Sequence, residues 1–351
     1  MSRLEVRGHR NPVRPRLKRV LPFLLTIVSV LISLVIAEIV LRQLGYVPRT
    51  ISLNANFWVS GWAQMDEELG WRNREGSFRS VEPGHALMSF GADGRRADPI
   101  SSKPASAPKI VFVGCSFTQG EGVADDETYA HVVNRDLKTL DVINYGTGAY
   151  GTYQSLLRMR SYFRAPHPQT PLVIYGLLGH HMIRNLASSE WVSTLTTRDG
   201  RFLIPPHVRS SGDRIVEHKA DPIDLWPLET RMASVALAHA AFLKISRKRP
   251  WQEHHDALRQ LLTQMKSITT ENKASFLVVN LWGAMAEDVE WMRGQGVDYI
   301  DCQNPEVLSA AYRVGGVGHP NGLMHDEWAQ CVLRALRERG YDAGEPVPAM
   351  N

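Results

Sequence analysis

From Val20 to Ala37 the chain reads VLPFLLTIVSVLISLVIA without a charged residue. With Glu38-Ile39-Val40-Leu41 the run approaches the roughly 20 residues a helix needs to cross a bilayer. Turn signals then recur through Arg42–Pro108, and SSKPASAP (Ser101–Pro108) has the composition of a linker. Beyond it the pattern becomes regular. Lys109–Val113 is a short apolar, partly β-branched run, as expected of a buried strand. Helical spacing over Glu127–Leu140 leads to a second strand at Asp141–Tyr145, a helix at Tyr153–Phe163 and a third strand at Pro171–Leu178. The rhythm breaks over residues 189–250, with a hairpin expected at Arg201–Glu217 and an Ala-rich apolar stretch at Met232–Ile245 that ends in Arg247-Lys248-Arg249. We read this segment as an insertion over the carboxyl edge of the sheet, or else as a surface excursion. A helix at Gln252–Asn272, a strand at Ala274–Trp282, a helix at Glu287–Gly294, a short strand at Asp298–Asp301 and a last helix at Gly322–Arg339 follow. Such alternation predicts an α/β fold with a mostly parallel five-stranded sheet and right-handed crossovers.

Charge changes the picture at the N-terminus. Residues 1–19 carry seven basic residues against Glu5 alone, a net +6 that exceeds the +4 of all 351 residues. The remainder is therefore net −2, which excludes a basic body built for nucleic acid. A basic flank before the apolar run predicts a single span with a cytoplasmic N-terminus and an extracytoplasmic body, periplasmic in a Gram-negative cell. A cleaved signal peptide competes, but its apolar region would be shorter and Val35 fits poorly in a cleavage site. A buried core helix is the other alternative, disfavoured by the arginines. Of the three cysteines, Cys302 and Cys331 could pair in an oxidising compartment, and Cys115 reads as a small packed residue.

Candidate chemistry begins at Gly114-Cys115-Ser116-Phe117-Thr118-Gln119-Gly120. A serine on the first turn after a parallel strand lies at the carboxyl edge, where open α/β sheets place their chemistry. Backbone N–H groups there can face a bound oxygen. With Gly122-Val123 and Glu127-Thr128-Tyr129, this stretch resembles block I of the SGNH hydrolases, the GDSL esterase and lipase superfamily, with Cys115 in place of the usual aspartate. Gly318-His319-Pro320-Asn321 resembles block V, the His-Pro segment before the last helix, and the resemblance makes His319 the general base for Ser116. The family's aspartate two or three residues before that histidine is replaced by Val317 and Gly316. Either a Ser-His dyad works alone, or another acid such as Asp301 or Asp326 orients the imidazole, or the enzyme is impaired.

Asn144-Tyr145-Gly146-Thr147-Gly148-Ala149-Tyr150-Gly151 resembles block II, with Asn144 in a supporting position and Ala149 where the family has its oxyanion glycine. An alanine N–H can serve if its φ is accessible. Gly176-Leu177-Leu178-Gly179-His180-His181 stands where block III has a glycine and then Asn-Asp. In that register Ser116, Ala149 and His180 supply the oxyanion donors, and His181 braces the loop. The histidines form no metal-ligand spacing such as H-E-x-x-H, and the glycine-rich turn lacks the ending of a P-loop, so no metal or other cofactor is expected.

The resemblance spans roughly residues 109–340, insertion apart. It implies a three-layer α/β/α fold and serine acyl chemistry. Membrane-anchored members have a similar extension, with Gly-Trp-Arg and Asp-Gly-x-Arg segments before the catalytic strand, like Trp71 in LGWRNREGSF and Gly94-Arg95-Arg96 in FGADGRRADP. The implied organisation is a basic tail (1–19), an anchor (20–41), a juxtamembrane extension and linker (42–108), a hydrolase-like domain (109–340, insertion 189–250) and a tail (341–351). The implied function is an extracytoplasmic esterase acting on an acylated carbohydrate or lipid. An O-acetyltransferase of exported polysaccharide and a catalytically impaired glycan-binding scaffold are the alternatives.

Overall fold

The computed structural model describes residues 14–50, 56–99, 103–195, 202–211 and 214–341. Arg3, Arg7 and Arg10 of the basic tail, Arg201, Gly212 and Asp213 of the expected hairpin, and the last ten residues lie outside them. The chain divides into two units, Met1–Ile51 with Leu225–Phe242, and Ser52–Asp224 with Leu243–Asn351.

The first unit is built on the helix Arg14–Gln43. Its segment Val20–Gln43 is 24 residues long with mean hydropathy 2.8, long and apolar enough to cross a membrane. At 1.5 Å per residue it reaches about 36 Å, against about 30 Å of hydrocarbon. The segment Leu225–Phe242 belongs to this unit. It holds most of the helix Ala233–Ser246.

The second unit is the α/β body. Its strands are β1 (Lys109–Gly114), β2 (Asp141–Asn144), β3 (Leu172–Leu178), β4 (Ser275–Trp282) and β5 (Asp298–Asp301), all parallel in the order β5-β4-β3-β1-β2. The strands read as continuous apolar runs because helices cover both faces. Alternate side chains feed two cores. Val111, Val113, Val173 and Tyr175 meet the layer that includes Leu156 and Leu261. Ile110, Phe112, Leu172 and Ile174 meet the layer that includes Val133 and Trp328. The chain winds outward in both directions from β1 and β3, so the carboxyl ends of these two strands mark the topological switch point. Cys302 and Cys331 are joined by a disulfide, Cα to Cα 5.7 Å.

Two local differences have clear causes. The helix after the serine loop spans only Tyr129–Asp136, because Thr128 is extended and caps it by accepting from His131 N at 3.2 Å. The inserted hairpin is a longer ribbon, His207–Ser211 on Arg214–His218, continued by Phe202–Ile204 on Asp221–Ile223.

The extension before the Ser101–Pro108 stretch carries secondary structure of its own. It forms two antiparallel ribbons, Ala63–Asp66 with Gly70–Asn73 and Gly76–Arg79 with Leu87–Phe90. Trp62, Trp71 and Met88 from it are fully buried in the same core as Val111. Its Arg96, 3% exposed, donates to Asp125 Oδ1 (2.6 Å) and to the carbonyls of Gln119, Gly120 and Val123 (3.0, 2.9 and 2.8 Å). One buried guanidinium thus collects the carbonyls of the serine loop, satisfying four acceptors at once. Removing it leaves Asp125 without its cation, with Ser89 N (2.9 Å) still donating to the carboxylate, and takes a donor from each of three carbonyls. Arg96→Met should cost about 3 kcal/mol or more of unfolding free energy, whereas the exposed pair Arg135–Asp136 should give less than about 1 kcal/mol on Arg135→Met. Urea unfolding in detergent measures both.

Candidate active site

Ser116 opens the short helix Ser116–Gln119 directly after β1, at the switch point. Glycines make the turn possible by leaving room. A Cβ on Gly114 or Gly176 would overlap Thr118 Oγ1, and one on Gly146 would overlap the backbone of Gln119. Gly120 closes the helix at φ 78°, a left-handed position suited to glycine. Ser116 and His319 line one cavity of about 450 Å³ with Glu82, Phe117, His180 and Arg184. Cavities of about 810 and 850 Å³ lie elsewhere on the unit, lined by neither residue. Size does not locate the chemistry here.

His319 is held by its loop. Its carbonyl accepts from Val314 N (2.8 Å), and Asn321 then caps the last helix by accepting from Met324 N (3.3 Å). Its Nδ1 lies 3.0 Å from Glu82 Oε1 and its Nε2 3.7 Å from Glu121 Oε2. Neither Asp301 nor Asp326 makes a hydrogen bond or ion pair with it. The Asp301 carboxylate accepts from Asn280 Nδ2 (2.8 Å) and Gln303 N (3.2 Å), and Asp326 is exposed. The carboxylate at the imidazole comes instead from the extension, at the tip of the hairpin between Arg79 and Leu87.

This tip fits because of the glycines in Gly315-Gly316-Val317-Gly318. A Cβ on Gly318 would overlap Glu82 Oε2, and one on Gly315 would overlap the Pro83 ring. Val317, where the block V resemblance leads one to expect an acid, is 68% exposed and turned to solvent. The hairpin occupies the space beside Gly315 and Gly318, while a Cβ on Gly316 would meet Ala310 instead.

Charge on the imidazole follows from its neighbours. Burial favours the neutral ring, but the Glu121 and Glu82 carboxylates outweigh it and raise the His319 pKa above 6.5. The His319 hydrogen bond in turn lowers the Glu82 pKa, against its own burial. Among the described residues Ser116 and His319 are not directly hydrogen-bonded, so the resting imidazole faces Glu121. The donor atoms of Glu82, Glu121 and His319 lie within 4.8 Å of one another, a set able to hold a small cation. Such a cation would compete for the lone pair a base needs.

The remaining sequence candidates separate into two kinds. Asn144 is committed to structure, donating to Thr118 O and accepting from Gly146 N, both at 2.8 Å. His181 is a fully buried brace. Its Nδ1 faces Tyr175 OH at 2.6 Å and Leu178 N at 3.4 Å, and burial keeps the ring neutral. His180 lines the cavity edge-on to Trp282 (5.0 Å between centroids) and makes no hydrogen bond among the described residues. Burial, then Arg184, lower its pKa. The two histidines do not alternate as on a strand, because β3 ends at Leu178 and His181 opens a helix. Ala149 is at φ 70°, the left-handed conformation glycine would take, and its N–H donates to no group among the described residues. It is not among the residues lining the cavity.

Glu82, Glu121 and Arg184 escaped the sequence reading. Arg184 lines the cavity with its cation over the Trp191 ring (4.6 Å), Nη1 donating to Tyr150 O (2.9 Å) and Nε buried without an acceptor. It is paired with no carboxylate among the described residues. The Glu82-Pro83-Gly84 turn and the glycines before His319 were the available signal for the hairpin contact. Nothing in the local pattern marks Arg184.

No protein-family model and no curated protein matches this sequence. The fold is similar to several solved structures. A member of the lipolytic G-D-S-L family from Veillonella parvula aligns over 66% of this chain and 99% of its own at 12% identity and a TM-score of 0.37. An acetyl xylan esterase from Butyrivibrio proteoclasticus aligns over 68% and 66% at 13% identity and 0.36. A family two carbohydrate esterase from Clostridium thermocellum, solved with cellohexaose, aligns over 68% and 66% at 13% and 0.34. At such scores no activity passes from those proteins to this one, and the site's own chemistry must carry any assignment.

The left-handed alanine gives a test of the block II register. Ala149→Gly should raise stability by up to about 1 kcal/mol, since it removes a steric penalty. Ala149→Val should lower it by more, read by the same urea unfolding.

Proposed function

We propose that this chain is a membrane-anchored extracytoplasmic serine esterase that cleaves O-acetyl or other short acyl esters of envelope glycan or lipid. The observation that supports it most is the shared cavity in which Ser116 meets a histidine whose far nitrogen is bound by a buried carboxylate. In this reading His319 Nε2 turns from Glu121 to accept the Ser116 Oγ proton as the oxygen attacks the ester carbonyl. Glu82 accepts the Nδ1 hydrogen bond, fixes the tautomer and stabilises the imidazolium. The same proton is then delivered to the leaving alcohol, and water repeats the sequence on the acyl-enzyme.

The developing oxyanion is met by the Ser116 N–H and His180; Ala149 N–H, the third donor expected from block II, is left out because Ala149 does not line the cavity. We add Arg184, whose cation faces the same cavity and lacks a carboxylate partner. A preorganised positive group is worth most where charge develops in a dry site. The Cys302–Cys331 disulfide supports an oxidising compartment, and with the basic tail it supports an N-in, C-out anchor in the cytoplasmic membrane.

Ser116→Ala should abolish labelling by a fluorophosphonate probe and turnover of a short-chain acetyl ester, while Cys115→Ala keeps most of both. Equal turnover by Ser116→Ala would sink the esterase reading. If product esters accumulate when glycan is supplied, the acyl-enzyme is passing its group to a sugar hydroxyl instead. Turnover should survive EDTA.

The pH dependence has a defined sign. Glu121 and Glu82 raise the His319 pKa, so the base must lose a tightly held proton, and kcat/KM should rise with pH through a limb above 6.5. Glu121→Gln removes one of the two charges and should move that limb toward lower pH. A limb that moves upward, or does not move, would remove Glu121 from the account.

A further inference from the structure

The helix Ala233–Ser246 presents to its surroundings a face that a water-soluble surface would not carry. Leu237, Ala238, Ala240, Ala241, Phe242 and Ile245 are all exposed, Phe242 at 53% and Ile245 at 77%. Lys244 is the only charged residue between Ala233 and Ile245. The opposite face is buried through Ala233, Ala236, His239 and Leu243. Trp226 and Leu228, in the turn before the helix, are exposed as well.

The start of this helix is tied to the apolar N-terminal helix by a polar contact with a definite depth. Glu38 accepts from Ala233 N (2.8 Å), Ser234 N (2.9 Å) and Ser234 Oγ (2.7 Å), so its carboxylate caps the helix. Arg42 bonds the same carboxylate (2.7 Å) and reaches Arg231 O (2.7 Å). Farther along, Arg49 pairs with the buried Glu229 (2.6 Å), which also holds His239 (2.6 Å). Glu38 lies five residues before Gln43, about 7.5 Å along the axis from the helix end. With Val20–Gln43 as a span, a helix that begins at the level of Glu38 begins inside it.

We propose that the exposed face of Ala233–Ser246 rests in the non-cytoplasmic leaflet of the bilayer, as a second, interfacial contact beside the anchor; this rests on the reading of Val20–Gln43 as a retained span. The lipid bilayer is the occupant because the face is continuous with the anchor through the Glu38 cap. The exposed Lys244 and Lys248 are placed to meet lipid phosphates. Burial of this face also accounts for an apolar patch that would otherwise be a liability in water.

The test uses the full chain in vesicles of phosphatidylethanolamine and phosphatidylglycerol. Nitroxides are attached one at a time at Phe242→Cys and Ile245→Cys, with Ile32→Cys in the anchor and the exposed Glu271→Cys as references. Cys115 is buried and Cys302 and Cys331 are paired, so the introduced thiol is the one labelled. Labels at 242 and 245 should relax with O₂ severalfold more than with a water-soluble nickel chelate, as at 32 and opposite to 271. Preference for nickel at 242 and 245 with a lipid signal at 32 overturns the proposal and keeps the anchor. Shielding from both reagents assigns the face to a protein or a second copy, which also overturns it. An aqueous signal at 32 removes the anchor itself, and the interfacial contact with it.

Discussion

The 3.0 Å hydrogen bond from His319 Nδ1 to Glu82 Oε1 joins two parts of the chain separated by more than two hundred residues. It requires the extension to fold onto the α/β body before the site is complete. Arg96 gathers the carbonyls of the serine loop, Asn73 Nδ2 donates to Gly146 O (3.1 Å), and Trp71 Nε1 donates to Gly148 O (2.9 Å). The serine loop, the block II loop and the orienting acid are therefore positioned by one segment, whose own buried tryptophans give it apolar area to dock with. A carboxylate delivered this way can stay ionised because the imidazole donates to it.

The electrostatics of the cavity follow from this arrangement. Two carboxylates bias His319 toward its charged form against its burial, and burial, then Arg184, bias His180 toward neutral. Neighbouring histidines thus sit on opposite sides of the usual imidazole value. Such a split is what a base and a neutral hydrogen-bond donor need in one site. The Nε2 of His319 rests 3.7 Å from Glu121 Oε2.

Much of the fold was legible in sequence because both faces of the sheet are covered. Lys109–Gly114 and Leu172–Leu178 read as unbroken apolar runs, and turns with Gly or Pro bound them. Ser116 and His319 were singled out by the block I and block V resemblance rather than by periodicity, and the fold brings both to one cavity. The extension was not legible in this way. Its strands are four residues long and are stabilised by tryptophans packing on distant loops, which leaves no local period. Glu82 was missed in the same way: its Glu-Pro-Gly turn and the glycines before His319 were both in the sequence, but no local period links them. The missing acid was read at Gly316 and Val317, whereas the room that receives the hairpin lies at the neighbouring Gly315 and Gly318. The segment Met232–Ile245 was apolar enough to be noticed, but only the Glu38 contact says which surface it belongs to.

The most direct measurement is the rate of fluorophosphonate labelling of Ser116 in wild type, Glu82→Gln, Asp301→Asn and Asp326→Asn at a fixed pH above the His319 limb. Loss of the orienting carboxylate should slow the Glu82→Gln reaction by about a hundredfold or more, with the two aspartate variants within a factor of about two, as expected for groups that do not touch the imidazole. Labelling of Glu82→Gln at the wild-type rate, with Asp301→Asn or Asp326→Asn slowed instead, would contradict the account.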